Sequence, residues 1–244
     1  MIKVKNFSKS YEGQEAVNSL SFAVEAGEIL GLIGPNGAGK TTTLRTLAGI
    51  LQPSSGVLSI AGYDLAAKPI EAKRQLAFVP DIPRLFDSLT IREHLELTAR
   101  IYRLDNWQER AERLLAEFEI DAVAGKTASQ LSLGMSQKAM MCCALLHQPQ
   151  ALLLDEPLTG LDPRGIRTLL GALRTSAENG AAVILSTHLL GQIGDFCDRL
   201  LIVKEGRCLL EGTMAEIQAV LPASKKNASL EEIFFHTTEA GYSQ

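Results

Sequence analysis

The sequence predicts an α/β protein: a parallel-sheet core with helices on its faces, an antiparallel β subdomain at the N-terminus, and an inserted α-helical subdomain. Three observations predict it. Residues 1–30 alternate apolar and polar side chains. The short apolar runs Glu28–Gly34 and Ala151–Asp155 each lead toward a helix-type segment. From Ser88 to about Gln148 no clear strand pattern occurs.

In chain order, Ile2 and Val4, then Leu20, Phe22 and Val24, mark half-buried strands of antiparallel type. Glu28–Gly34 is a short apolar strand running into a glycine turn, and TTTLRTLAGIL follows as a helix. GVLSIAGYDL and QLAFVP read as further strands. Thr90-Ile91-Arg92-Glu93 is a capping box that opens a helix. NWQERAERLLAEFEI is a charged amphipathic helix with Leu114, Leu115 and Phe118 on one face. Ser132 can cap a buried helix from Met135 to Leu146. After Pro149 the α/β character returns. Asp162-Pro163 pairs an N-cap with proline at the first helical position. Asn179-Gly180 closes that helix, AAVILST is the next strand, and LLIVKEGRCLLEGT is a hairpin turning near Glu205-Gly206. Ser229-Leu230-Glu231-Glu232 caps a last short helix, and the tail after Pro222 is otherwise uninformative.

The 244 residues are 46% apolar and carry a net charge of −4, with no basic block beyond pairs such as Lys225-Lys226. Nucleic-acid binding through a basic surface is therefore not expected. Cys142, Cys143, Cys197 and Cys208 form no C-x-x-C pair, so neither a zinc site nor a redox motif is expected, and reduced thiols fit a cytosolic setting. The N-terminus lacks an apolar signal core, and no apolar run approaches the ~20 residues that span a bilayer. Work at a membrane would need a separate spanning partner.

GPNGAGKTT, Gly34 to Thr42, fits G-x-x-x-x-G-K-[ST] between a strand and a helix. Such a loop turns its backbone N–H groups onto phosphate oxygens, and the helix that follows adds roughly half a positive charge. Gly34, Pro35, Asn36, Gly37, Ala38, Gly39, Lys40, Thr41 and Thr42 are thus candidates for holding a nucleoside triphosphate. Lys40 would reach the β- and γ-phosphates, and the Thr41 hydroxyl would hold Mg²⁺. A P-loop NTPase core follows. ALLLDEP places Asp155 at the end of a buried strand with Glu156 beside it. Asp155 can hold Mg²⁺ through water, and Glu156 can act as general base on an attacking water. A guanine-reading Asn-Lys-x-Asp segment is absent, which favours ATP.

With Gly34–Thr42, LSLGM (Leu131–Met135) and LLLDEP in hand, the chain resembles the nucleotide-binding subunit of an ABC transporter from about residue 2 to 215. The resemblance implies an ATPase domain over 1–221, with a RecA-like core (1–83 and 149–221), a helical insertion at about 84–148, and a C-terminal extension, 222–244. It implies that two such subunits, identical or related, pair head to tail around two ATP molecules. Ser132 and Gly134 would then face the γ-phosphate held by the partner. It further implies that Tyr11 stacks on adenine, that Asp162 crosses the dimer interface, and that His188 contacts the γ-phosphate and orients Glu156.

Two departures stand out. Asp81 occupies the place of the family's usual Gln, which reaches Mg²⁺ and the lytic water. LSLGM replaces Leu-Ser-Gly-Gly-Gln, so Leu133 stands for Gly and Met135 for Gln. Both resemble the branch of drug, antibiotic and lipid exporters with separate permeases. The implied protein is a cytoplasmic ATPase on the inner face of the cell membrane, driving a permease that docks near Ile82, Leu85 and Phe86. The rival expectation is a non-transport ABC ATPase acting on ribosomes or DNA. Its common forms carry two modules with a charged linker, or long coiled coils, and neither occurs here. A small-metabolite phosphotransferase would lack the LSLGM segment.

Overall fold

The computed structural model describes residues 1–221 and 228–239. The chain starts with an antiparallel pair, β1 (Ile2–Tyr11) and β2 (Gln14–Val24). Ile2, Val4 and Phe7 point inward, and the alternation slips between Val4 and Phe7 at a bulge. β3 (Ile29–Ile33) leads through the glycine loop to α1 (Lys40–Leu47). β4 (Ser55–Ile60) and the two-residue β5 (Tyr63–Asp64) make one hairpin from GVLSIAGYDL. α2 (Pro69–Arg74), which the sequence reading passed over, starts on a proline at its first turn. β6 (Leu76–Val79) follows.

Three helices lie between β6 and β7 (Ala151–Asp155): α3 (Ile91–Tyr102), α4 (Trp107–Glu117) and α5 (Leu133–Leu146). The Thr90 capping box forms as expected, with the Glu93 carboxylate accepting from the Thr90 N–H at 2.7 Å. α5 begins two residues earlier than expected, directly after Ser132, whose hydroxyl accepts from the Met135 N–H at 3.3 Å. α6 (Pro163–Glu178), β8 (Ala182–Ser186), the single-turn α7 (Leu190–Ile193), β9 (Arg199–Lys204) and β10 (Arg207–Gly212) complete the core. α8 (Met214–Val220) has its own capping box, Thr213 with Glu216.

β1, β2, β4 and β5 form a four-stranded antiparallel sheet in the order β2-β1-β4-β5. The second sheet has six strands in the order β10-β9-β3-β8-β7-β6, parallel except for the β10 edge. β3, β7 and β8 are buried at every residue. Alternate side chains serve two cores. Leu30, Leu153 and Ile184 face the antiparallel sheet and α1, whereas Leu152, Leu154 and Leu185 face the helices. Strands buried on both faces read as unbroken apolar runs, as these do. Leu114, Leu115 and Phe118 of the α4 segment belong to the same apolar cluster as Leu152 and Leu154, so the inserted helices share the core of the sheet.

The C-terminal segment has more structure than its composition suggested. α9 (Leu230–Glu239) is capped by Ser229 and Glu232, buries Leu230 and Ile233, and packs on α7. The Lys204 ammonium donates to the Thr238 carbonyl at 2.7 Å. Of the expected extension 222–244, residues 222–227, with Lys225-Lys226, and 240–244 lie outside the described residues. No helix among the described residues is long and apolar enough to cross a membrane.

At the end of α5, the His147 ring stacks on Tyr102 at 3.7 Å, and its Nε2 lies 3.3 Å from the Leu76 carbonyl. Burial lowers its pKa to about 4. The folded chain thus prefers neutral His147, and that stability is whole above the ordinary imidazole value of about 6.5 and lost as pH falls toward 4. His147→Gln is expected to remove a slope of up to about 1.4 kcal/mol per pH unit in this window. Urea denaturation of both proteins from pH 7 to 4 measures it.

Candidate nucleotide-binding site

The loop after β3 packs tightly against the rest of the core at its two ends, Gly34 and Gly39. An added Cβ on Gly34 would run into the Val203 carbonyl. Gly39, the residue before α1, has φ 99°, and a Cβ there would lie 2.6 Å from the Ala16 carbonyl. The loop is tied to the β9–β10 turn by the Gly206 N–H, which donates to the Ala38 carbonyl at 3.2 Å. No side chain caps α1 and its first turn carries no acid, so its end N–H groups are available to an anion.

Lys40 folds back into this loop. Its Nζ donates to the Gly34 carbonyl at 2.6 Å and to Pro35 at 3.2 Å. Burial lowers its pKa, against the pull of the Glu156 and Asp155 carboxylates. These carboxylates hang from the carboxyl end of β7, beside β3's neighbour β8. Asp155 is 1% exposed. One of its oxygens accepts from the Ser186 hydroxyl at 2.8 Å, and the Thr41 side chain lies nearby. Its other oxygen, Oδ2, is buried with no hydrogen-bond partner. Burial raises the Asp155 pKa, the Ser186 and Thr41 hydroxyls oppose this, and the nearby Asp81 and Glu156 charges add to it.

Glu156 has φ 51°, a left-handed backbone uncommon outside glycine, and its N–H is held by the Ser186 carbonyl at 3.0 Å. Its Oε2 accepts from the His188 N–H at 3.1 Å and lies 2.8 Å from His188 Nδ1. His188 is thus brought against Glu156. Asp81, beyond the end of β6, lies 3.5 Å from the Arg45 guanidinium of α1. Among the described residues, no three His, Cys, Asp or Glu side chains are close enough to hold a metal by themselves. A divalent cation here would draw on Thr41 and Asp155, together with phosphate oxygens. The buried, unpartnered Asp155 oxygen fits such an ion.

Ser132, Gly134 and Asp162 gather elsewhere. They line a separate cavity of about 400 Å³ with Leu133, Lys138 and Gly160. The Asp162 carboxylate accepts from the Gly165 N–H at 2.8 Å, capping α6. Tyr11 stays on the surface, 43% exposed, with the Lys9 ammonium 5.1 Å from its ring centre.

One chain therefore carries a phosphate cradle with two carboxylates, and a second polar groove apart from it. The family model described as ABC transporter matches residues 17–159. The chain belongs to the ABC transporter family. Within that family it is an ATP-binding, ATP-hydrolysing cassette. It is 34% identical over 241 residues to the ABC-type transporter ATP-binding protein EcsA of Bacillus subtilis (strain 168), covering 98% of this chain and 97% of that protein. It is 36% identical over 213 residues to the Nod factor export ATP-binding protein I of Burkholderia orbicola (strain AU 1054), covering 86% and 70%. Among solved structures, an ATP-binding subunit of an ABC transporter superposes with a TM-score of 0.93 at 37% identity, over 97% of this chain and 99% of that one. A dimeric cassette in a post-hydrolysis state bound to ADP and Pi superposes at 0.81 with 26% identity, over 88% and 99%.

The cassette also holds residues that sequence reasoning missed. Ser186 grips both Asp155 and the Glu156 backbone, and only the pairing of Asp155 with Ser186 across β7 and β8 shows it. Gln137 on α5 is buried and donates to the Pro157 carbonyl at 3.2 Å, linking the LSLGM helix to the loop after β7. Leu133 rests on Gly160, where an added Cβ would lie 2.8 Å from the leucine methyl.

A raised carboxyl pKa means that ionised Asp155 costs stability above that pKa and ceases to do so as pH falls through it. Asp155→Asn is expected to stabilise the nucleotide-free cassette by about 1 kcal/mol at pH 8, the gain shrinking on acidification. Thermal unfolding at pH 8 and pH 5 checks both the sign and the trend.

Proposed function

We propose that this cassette powers export through a separate membrane permease, working on the cytoplasmic face of the cell membrane as one of a head-to-tail pair. The observation that carries this reading is the Glu156–His188 contact beside Lys40, in a chain whose Ser132–Asp162 groove lies away from its own phosphate loop. In a head-to-tail pair that groove meets the partner's bound ATP, with Ser132 and Gly134 on the γ-phosphate and Asp162 at the interface.

In this reading, Gly34 to Thr42 and the α1 N–H groups hold the triphosphate, Lys40 meets the β- and γ-phosphates, and Tyr11 lies under adenine. Thr41, Asp155 and Asp81 take part in holding Mg²⁺, which when bound offsets phosphate charge. Water attacks the γ-phosphorus while Glu156 accepts its proton. The bond from that phosphorus to the bridging oxygen breaks, and ADP and inorganic phosphate leave. His188 keeps Glu156 aimed and touches the γ-phosphate. Export is favoured over import by the relatives named for export, the Nod factor protein and a probable multidrug transporter of Escherichia coli (strain K12).

The permease dock is narrower than the sequence suggested. Ile82 and Phe86 are 59% and 61% exposed, whereas Leu85 packs against the helical core. The Phe86 N–H donates to His94 at 2.8 Å, which fixes this loop on α3.

Glu156→Gln is expected to lower ATP turnover at least 100-fold while changing ATP affinity less than about 3-fold. Phosphate-release kinetics and calorimetry measure the two, and normal turnover would overturn the general-base role. The Ile82→Ser/Phe86→Ser protein is expected to keep its ATPase activity in solution but to lose co-purification with a polytopic membrane protein from gently solubilised membranes. Recovery of that protein at the native level would sink the dock. Recovery of ribosomes or DNA factors by the unaltered cassette would move the function to the non-transport class.

A further inference from the structure

Arg45 lies one helical turn after Thr41 on α1, so the two share a face. Thr41 lies near Asp155, and Arg45 meets Asp81. β6 and β7 pair in parallel with Val79 opposite Leu154, which brings Asp81, two residues further on, level with Glu156. Three carboxylates, Asp81, Asp155 and Glu156, thus converge on one edge, faced by Lys40 from the loop and Arg45 from the helix. Asp155 Oδ2 is buried without a hydrogen-bond partner, an oxygen left for a ligand to take.

We propose that Arg45 sets the strength of Mg²⁺ coupling to nucleotide binding by competing with the metal for the Asp81 carboxylate. This rests on the reading of Asp81 as a group that serves Mg²⁺. Lys40 alone cannot balance three carboxylates, and Arg45 adds a second positive charge beside Asp81. The Arg45–Asp81 pair is 3.5 Å apart, and both side chains are about two-fifths exposed (40% and 42%). An exposed pair of this kind contributes a factor of about five at most. It holds Asp81 in place, yet a divalent cation can displace it. Arg45 is therefore a positioning residue, acting through Asp81.

The test is a double-mutant cycle read by calorimetry. The quantity is the ratio of the ADP dissociation constant in EDTA to that in excess Mg²⁺, for the full chain. Arg45→Ala is expected to raise this ratio about three- to five-fold, and Arg45→Lys to leave it near the native value. Asp81→Asn is expected to lower it, and Arg45→Ala made in the Asp81→Asn protein to add nothing. If Asp81→Asn leaves the ratio unchanged, Asp81 does not serve the metal, and that reading and the proposal both fail. If Asp81→Asn lowers the ratio but Arg45→Ala does nothing, the proposal alone fails. If Arg45→Ala acts equally in both backgrounds, Arg45 works without Asp81 and the proposal is overturned. Thermal unfolding of each variant confirms folding, which the exposure of both side chains favours.

Discussion

Parallel pairing of five strands sends the ends of β3, β6, β7 and β8 to one edge of the sheet, and the chemistry of this protein hangs from that edge. The phosphate loop leaves β3, Asp155 and Glu156 leave β7, His188 follows β8, and Asp81 follows β6. A shift of one residue between β7 and β8 would turn over the faces of the shifted strand and separate Ser186 from Asp155. The register is secured from both sides, because Leu152 and Leu154 are buried in one core and Leu153 in the other. Apolar packing thus sets the placement of charged groups to within a hydrogen bond.

The edge is costly to assemble, and the cost is local. Asp155 is buried with an unpartnered oxygen, Glu156 takes a left-handed backbone, and Lys40 is turned inward onto carbonyls of its own loop. All three lie at the carboxyl ends of β3 and β7 or in the turn that follows, so the local cost is gathered at one edge of the sheet.

Much of this was legible in the residues. Strand-type runs, both ends of α6, the Thr90 and Ser229 capping boxes and the β9–β10 hairpin all leave local marks, and the structure bears them out. Elements set by distant contacts were not legible. α2 is only six residues long, and nothing periodic distinguishes it from a loop. Docking of α9 depends on its meeting α7, and the Arg45–Asp81 contact depends on α1 packing on β7, the neighbour of β6. In the site, the glycine loop and Asp-Glu pair announce themselves by type and spacing. Ser186 and Gln137 do not, because serine and glutamine are common and only their burial beside a carboxylate and a carbonyl gives them a role.

The place of β3 in the sheet has a bearing on how the protein is made. β3 is seated between β8 and β9, so Leu30 pairs with Ile184 on one side and Arg199 on the other. A ribosome that has finished Ile33 must still add everything up to Lys204 before both neighbours exist. At about 5–20 residues per second, that wait is on the order of ten seconds or more. Until β8 is finished at Ser186, Ile29 to Ile33 is an apolar strand with two open edges, the kind of segment that pairs with whatever chain is nearest. β3 is thus made early and completed late, and its edges stay open to other chains in the interval.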